Sequence, residues 1–140
     1  MKIFISQPMT GLDEEEILFT RAKEKARARL MFGDNVEFAP TYTSDEVRTS
    51  IEQSAMKRNR ERAEKTNWDI YWLVDSLRCM CTCDTLWLVE GWENSKGCAI
   101  EREIAETYGL NIYYPKGVYN NPSSWINDKE GATIWETQSL

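Results

Sequence analysis

The chain has 140 residues, no histidine, four cysteines and a formal charge of −6 from 17 basic and 23 acidic residues. Such a length fits one domain with a real core, and the missing histidine excludes a Ser-His-Asp triad, a Cys-His pair and any His-ligated metal, so any chemistry falls to carboxylates, hydroxyls, thiols or backbone dipoles. An isoelectric point near 4.8 argues against broad electrostatic binding to nucleic acid or anionic lipid, although a small anion can still be held at a helix N-terminus.

The first predicted element is a short apolar strand, Lys2–Ser6, followed by the turn-rich loop Gln7-Pro8-Met9-Thr10-Gly11. The opening apolar run is too short for a signal peptide and nothing later resembles a membrane span, which leads to the expectation of a cytoplasmic protein with no membrane partner. Asp13 with Glu16 makes a capping box. Behind it Leu18, Ala22, Ala26 and Leu30 recur every four residues and predict an amphipathic helix from Asp13 to Met31, ended by Gly33. A second strand is expected at Asn35–Ala39, stopped by Pro40.

Thr43 with Glu46 predicts a charged helix running to Glu64, whose stretch from Lys57 to Arg62 is the basic cluster of the chain and reads as a solvated helix face or as an anion or partner contact. Thr66 with Asp69 predicts the cap of a third helix, Asn67 to Met80. Cys79, Cys81 and Cys83 lack the paired spacing of a zinc site and read as small buried hydrophobes. Asp84–Val89 is a nearly continuous apolar run, as expected of a strand covered on both faces. A loop at Glu90–Lys96, a helix at Gly97–Tyr108 capped by Gly109, and a strand at Asn111–Tyr114 closed by Pro115 follow. Strands alternating with helices predict an α/β fold with a central parallel sheet flanked by helices. The tail from 116 to 140, with Trp125 and Trp135, has weak periodicity and is expected to pack on this domain or on a neighbouring subunit.

In such a sheet, ligands bind beyond the carboxyl ends of the strands, which selects the loops after the first strand and after the central strand. The second loop ends in Asn94-Ser95-Lys96-Gly97, a hydroxyl, an ammonium and a glycine at a helix start, suited either to cradling an anion or to ordinary capping. On the helix that follows, Gly97, Glu101, Ile104, Ala105 and Tyr108 share one face. Glu101 is therefore an inward carboxylate, either paired or working. Asp69, Asp75 and Asp84 are candidates for a second carboxylate. Asp75 lies among Trp72, Leu73, Val74 and Leu77, while Asp84 opens the central strand at its far end.

The segment Asp84-Thr-Leu-Trp-Leu-Val-Glu-Gly-Trp-Glu-Asn-Ser-Lys-Gly-Cys-Ala-Ile-Glu101, with Ile3-Phe-Ile-Ser-Gln-Pro-Met-Thr-Gly11, resembles the signature of the nucleoside 2-deoxyribosyltransferase-like superfamily over residues 1–115. The likeness is strongest to a small branch beginning with Pro-Met-Thr-Gly. The resemblance implies a Rossmann-like fold and cleavage or exchange of the N-glycosidic bond of a nucleoside or nucleoside 5′-monophosphate. It makes Glu101 the nucleophile at C1′ and Asp75 the group that assists protonation of the base. It assigns substrate contacts to Gln7, Pro8, Met9, Thr10, Gly11, Trp92, Ser95 and Gly97. Ser95, six residues before Glu101, matches the serine that nucleotide-hydrolysing relatives place near the 5′-phosphate. Gln7 stands where many relatives carry glycine, which implies a narrower or differently bonded sugar pocket.

Under this reading Glu101 is expected to stay ionised with help from its helix dipole, and Asp75 to have a raised pKa and act as the acid. Resolution by water makes a hydrolase, by a second base a transferase. No metal or redox cofactor is needed, and relatives of this fold tend to be homodimers or larger. Two other readings are a nucleotide-binding or sensor module of the same fold without turnover, and, more weakly matched by the first loop, a flavodoxin-like flavin carrier.

Overall fold

The computed structural model describes residues 1–40, 42–118 and 121–129. Five strands, β1 (Lys2–Ser6), β2 (Glu37–Phe38), β3 (Thr85–Leu88), β4 (Asn111–Pro115) and β5 (Trp125–Asn127), form one sheet in the order β2-β1-β3-β4-β5. The first four are parallel, and β5 pairs antiparallel with β4. Helices α1 (Glu14–Phe32), α2 (Asp45–Arg58), α3 (Arg60–Lys65), α4 (Trp68–Met80) and α5 (Lys96–Thr107) connect them. The α/β fold with a mostly parallel central sheet is the one the alternating pattern predicts.

Strand alternation sorts the core into two layers. Phe4, Leu86, Leu88, Ile112 and Tyr114 face Met80 of α4 and Cys98 and Ala105 of α5. Ile3, Ile5, Trp87 and Val89 face Ala28, Met31 and Phe32 at the end of α1. The indole of Trp125 stacks on Trp87 at 4.0 Å between ring centroids, which puts this side chain of β5 in the α1-side core. The described tail thus adds a sheet strand, Trp125–Asn127, to this subunit, while Trp135 lies outside the described residues.

Four local expectations are corrected. The α1 capping box and its Gly33 stop are present, but Leu18 is half in solvent and Leu30 is 77% exposed. The buried face of α1 is Ile17, Arg21, Glu24 and Ala28. Its two charged members are satisfied in place: Glu24 is fully buried, accepting from Arg27 Nη1 at 2.9 Å and from the Trp87 indole at 2.9 Å. Second, the charged helix does not run unbroken to Glu64. Asn59 adopts extended backbone and its side chain accepts from Arg62 N, so it ends α2 and starts α3. Third, Cys81 is exposed and Cys79 half-buried, so the three clustered cysteines do not act together as core residues. Fourth, Tyr108, placed on the inward face with Glu101, is out in solvent, while Arg102 lies over the Trp92 ring and pairs with Glu106 and Asp128.

Glu24 links α1 to the central strand through a bond that apolar packing cannot replace. Glu24→Ala strands the Trp87 N–H and removes one partner of Arg27. It is expected to cost about 3 kcal/mol in urea unfolding, and a loss under about 0.5 kcal/mol, the size of an ordinary surface change, would show that the contact is not structural.

Candidate functional site

The chain leaves β1 for β2 on one side and β3 for β4 on the other, so the winding reverses between β1 and β3. At such a point the loops leaving the carboxyl ends diverge and open a crevice. Ser6 is in register with Leu88, and Val89 N–H donates to the Ser6 carbonyl at 2.9 Å, which sets the two strand ends side by side. Their loops touch: a Cβ added at Gly91 would sit 3.6 Å from Pro8 Cγ. Gly91 has φ +89° and Gly11 φ +80°, left-handed values that favour glycine at both bends.

Alternation sends the last residues of β1 into opposite layers. Ser6 points to the α5 side, where its hydroxyl donates to Glu101 Oε1 at 2.8 Å. Gln7 points to the α1 side, where its amide N donates to the Ile17 carbonyl at 3.1 Å and its amide O accepts from Arg21 Nη1 at 2.9 Å. Arg21 and Glu101 thus come from opposite layers and act on each other electrostatically past the end of β1.

Burial pushes Glu101 up to about 7, against the stabilising effects of the Ser6 hydroxyl and the Arg21 guanidinium. Burial also lowers Arg21 to about 10, which still leaves it charged at neutral pH. Glu101 was expected to stay ionised; in the fold it sits near the midpoint of its titration at neutral pH. The Cys98 thiol, one turn earlier on α5, is pushed up by burial and pulled back by the hydroxyls of Ser6 and Ser95. Glu24 is the useful contrast: both of its oxygens have a bonded partner and it is sealed. Glu101 is 7% exposed and receives one described hydrogen bond. A buried carboxylate with spare acceptor capacity and a pKa near neutrality can attack an electrophile or shuttle a proton.

The profile of one family, described as a domain of unknown function (DUF4406), matches residues 1–114. The chain belongs to the DUF4406 family. The matched span covers β1 through most of β4 and every residue of the crevice. No curated protein and no solved structure matches the chain.

In this DUF4406 chain the residues singled out from the sequence fall into three groups. Glu101, Ser95 and Gly97 lie on α5 or at its start, beside the end of β1, and Pro8 of the first loop lies against Gly91 of the second. Ser95 caps α5, accepting from Cys98 N at 3.4 Å, and Gly97 in the first turn has open space where a Cβ would stand. Met9 O accepts from Leu12 N, which turns Thr10 and Gly11 into solvent. Gln7 and Trp92 are present but engaged elsewhere. The Gln7 amide is committed to α1, and Trp92 is buried in the core under Arg102. Asp75 stands apart from both: it pairs with Arg78 at 3.4 Å and its side chain is 41% exposed, so the apolar setting expected around it is absent. The apolar residues beside it in sequence lie on other faces of α4, with Ile70 and Val74 themselves exposed. Asp84 holds the far end of the sheet, as expected, accepting from Lys2 N and Thr85 Oγ1. Ser6, Arg21 and Cys98 join the site although the sequence pattern did not select them. Ser6 was visible as the last residue of the first strand, whereas Arg21 sat off the misread stripe of α1.

The raised pKa of Glu101 fixes the sign of a stability effect. From the ordinary value of 4.5 up to about 7, the folded chain binds the Glu101 proton more tightly than the unfolded one. This contribution is complete below the ordinary value and is lost as pH rises through about 7. Glu101→Gln is therefore expected to be more stable than the parent by about 3 kcal/mol near pH ~8, the gap closing near pH ~4, in urea unfolding across pH. A gap independent of pH would place the carboxyl back in its ordinary range.

Proposed function

We propose that this protein cleaves or exchanges the N-glycosidic bond of a nucleoside 5′-monophosphate or nucleoside, with Glu101 as the nucleophile. The observation that carries the reading is the placement of Glu101: buried at the β1–β3 reversal, bonded by Ser6 and facing Arg21. The sequence resemblance to nucleoside 2-deoxyribosyltransferases supplies the reaction class. Attack by the ionised carboxylate on C1′ forms a glycosyl ester. It breaks the C1′–N bond, whose electron pair leaves with the base and is protonated there. Water then releases the sugar phosphate, or a second base accepts the sugar. Positive charge develops at C1′ in this transition state, and the carboxylate beside it stabilises that charge. Arg21 favours the ionised carboxylate, which the first step requires.

The capped N-terminus of α5, with Ser95 and the open edge at Gly97, is suited to a 5′-phosphate. The observed contacts of Asp75 do not favour it as the proton donor, since its described partner is Arg78 on the same helix and not a residue of the crevice. The free cysteines, including three within five residues, suit a reducing cytoplasm, and no described helix is long and apolar enough to cross a membrane. Two observations favour the second reading, a nucleotide-binding module without turnover: Glu101 is partly protonated at neutral pH, and Gln7 is tied to α1.

The test is release of free base from a panel of nucleosides and 5′-monophosphates, followed by chromatography. Base release is expected to rise with pH as Glu101 ionises through about 7. Glu101→Ala should reduce it on the order of a thousandfold, and Asp75→Asn by less than about tenfold. Binding without release, unchanged in Glu101→Gln, supports the non-catalytic module instead. Ser95→Ala should narrow any preference for the phosphorylated substrate, and an unchanged preference places the phosphate elsewhere.

A further inference from the structure

Away from this crevice, and sharing none of its residues, a cleft of about 470 Å³ opens where α2, α3 and α4 meet. Its volume lies within the range of small-molecule sites, roughly 300–1,000 Å³. It exists because α2 breaks. In a continuous helix Arg58 and Arg62, four residues apart, would form one solvated stripe. The extended backbone of Asn59 turns α3 away from α2, and both arginines then line a concavity. Ala55 and Ala63 leave room at its floor. Trp68 and Tyr71 form its aromatic wall, packed edge to face at 5.0 Å. Below it, the Trp72 indole donates to Glu52 at 2.9 Å and Arg48 lies over the Trp72 ring, which ties α4 to α2.

The charge of the cleft runs against that of the chain. Among the described residues no acidic one lines it, although the chain carries −6. Among the described residues neither Arg58 nor Arg62 takes part in an ion pair. The carboxamide oxygen of Asn59 caps Arg62 N, which leaves its NH₂ as a further donor. Two guanidinium forks and an amide offer planar recognition of a phosphate or carboxylate, and the aromatic wall offers a face for a ring.

We propose that this cleft is a second ligand site, which binds a small anion carrying a planar aromatic ring. The anion sits between Arg58 and Arg62 and the ring lies against Trp68 and Tyr71.

The experiment uses the full chain labelled with 5-fluorotryptophan, the Trp68 ¹⁹F resonance being assigned from Trp68→Phe. Adenosine 5′-monophosphate serves as the probe with both features, adenosine as ring alone, and ribose 5-phosphate and inorganic phosphate as anion alone. The monophosphate is expected to shift the Trp68 resonance saturably, at least about tenfold more tightly than any of the other three. Arg58→Gln or Arg62→Gln should each weaken it about tenfold, and the double variant should reduce it to the level of adenosine. Both arginines are exposed, so neither change threatens the fold. The Trp68 response should persist in Glu101→Gln, which separates it from any chemistry in the crevice. An unshifted Trp68 resonance, ribose 5-phosphate binding as tightly as the monophosphate, or unchanged affinity in the double arginine variant would each overturn the proposal.

Discussion

A carboxylate placed inside an α/β sandwich demands partners from whatever elements surround it, and Glu101 draws on both layers. The Ser6 hydroxyl reaches it from the end of β1, and the Arg21 guanidinium acts on it from α1. Neither approach works without the register that sets Ser6 beside Leu88, because that register brings the ends of β1 and β3 level. Gln7 completes the arrangement by holding Arg21 and fastening the chain to the Ile17 carbonyl. The strain is electrostatic: burial dominates, and the carboxyl titrates about 7 in spite of its helpers.

The second buried carboxylate explains how Arg21 is held. Glu24 lies one turn further along the same face of α1, bonded to Trp87 in the central strand and to Arg27 on its own helix. Trp87 is in turn stacked by Trp125 of β5 and flanked by Phe32. α1 is therefore keyed to the sheet by polar contacts in its middle and by Ala28, Met31 and Phe32 at its end. A helix docked by apolar residues alone could slide by a methyl group at small cost. One docked by a carboxylate to an indole N–H cannot, since either partner left unmet is penalised. The precision needed at Arg21 comes from this neighbour.

The parts of the fold legible in the sequence are those set by local chemistry. The strands of the parallel core are short apolar runs between turn residues, and Asp13, Ser95 and Gly33 mark helix ends by groups that bond within a few residues. Glu101 was legible because Gly97 and Ala105 share its face and have no other reason to align. The phase of α1 was not, because its buried face carries Arg21 and Glu24, which bond to Gln7 and Trp87 in other elements, while Leu18 and Leu30 stand largely in solvent. The break at Asn59 was hidden inside a run of charges, where a capping asparagine resembles one more polar residue. β5 has three residues and among the described residues pairs with β4 alone, so nothing local announces it. Asp75 misled in the opposite direction: its apolar neighbours suggest burial, but α4 buries Met80 at its end and leaves much of its earlier surface open.

Net charge is a poor guide to what this chain can bind. At physiological salt the field of an exposed charge fades over about 8 Å, so a ligand in a crevice senses the groups lining it. The surplus of acidic residues is spread over helix starts such as Glu14, Glu15 and Glu16 on α1, where it complements the helix dipole. Three arginines stand at concave places: Arg21 of α1 beside the end of β1, and Arg58 and Arg62 across the break between α2 and α3. Each concavity thus carries guanidinium groups on a protein that is acidic overall. The proposed cleft site therefore asks a chain that repels polyanions at a distance to hold a small anion at close range. Direct contact with a fixed guanidinium outweighs a screened field from charges further off.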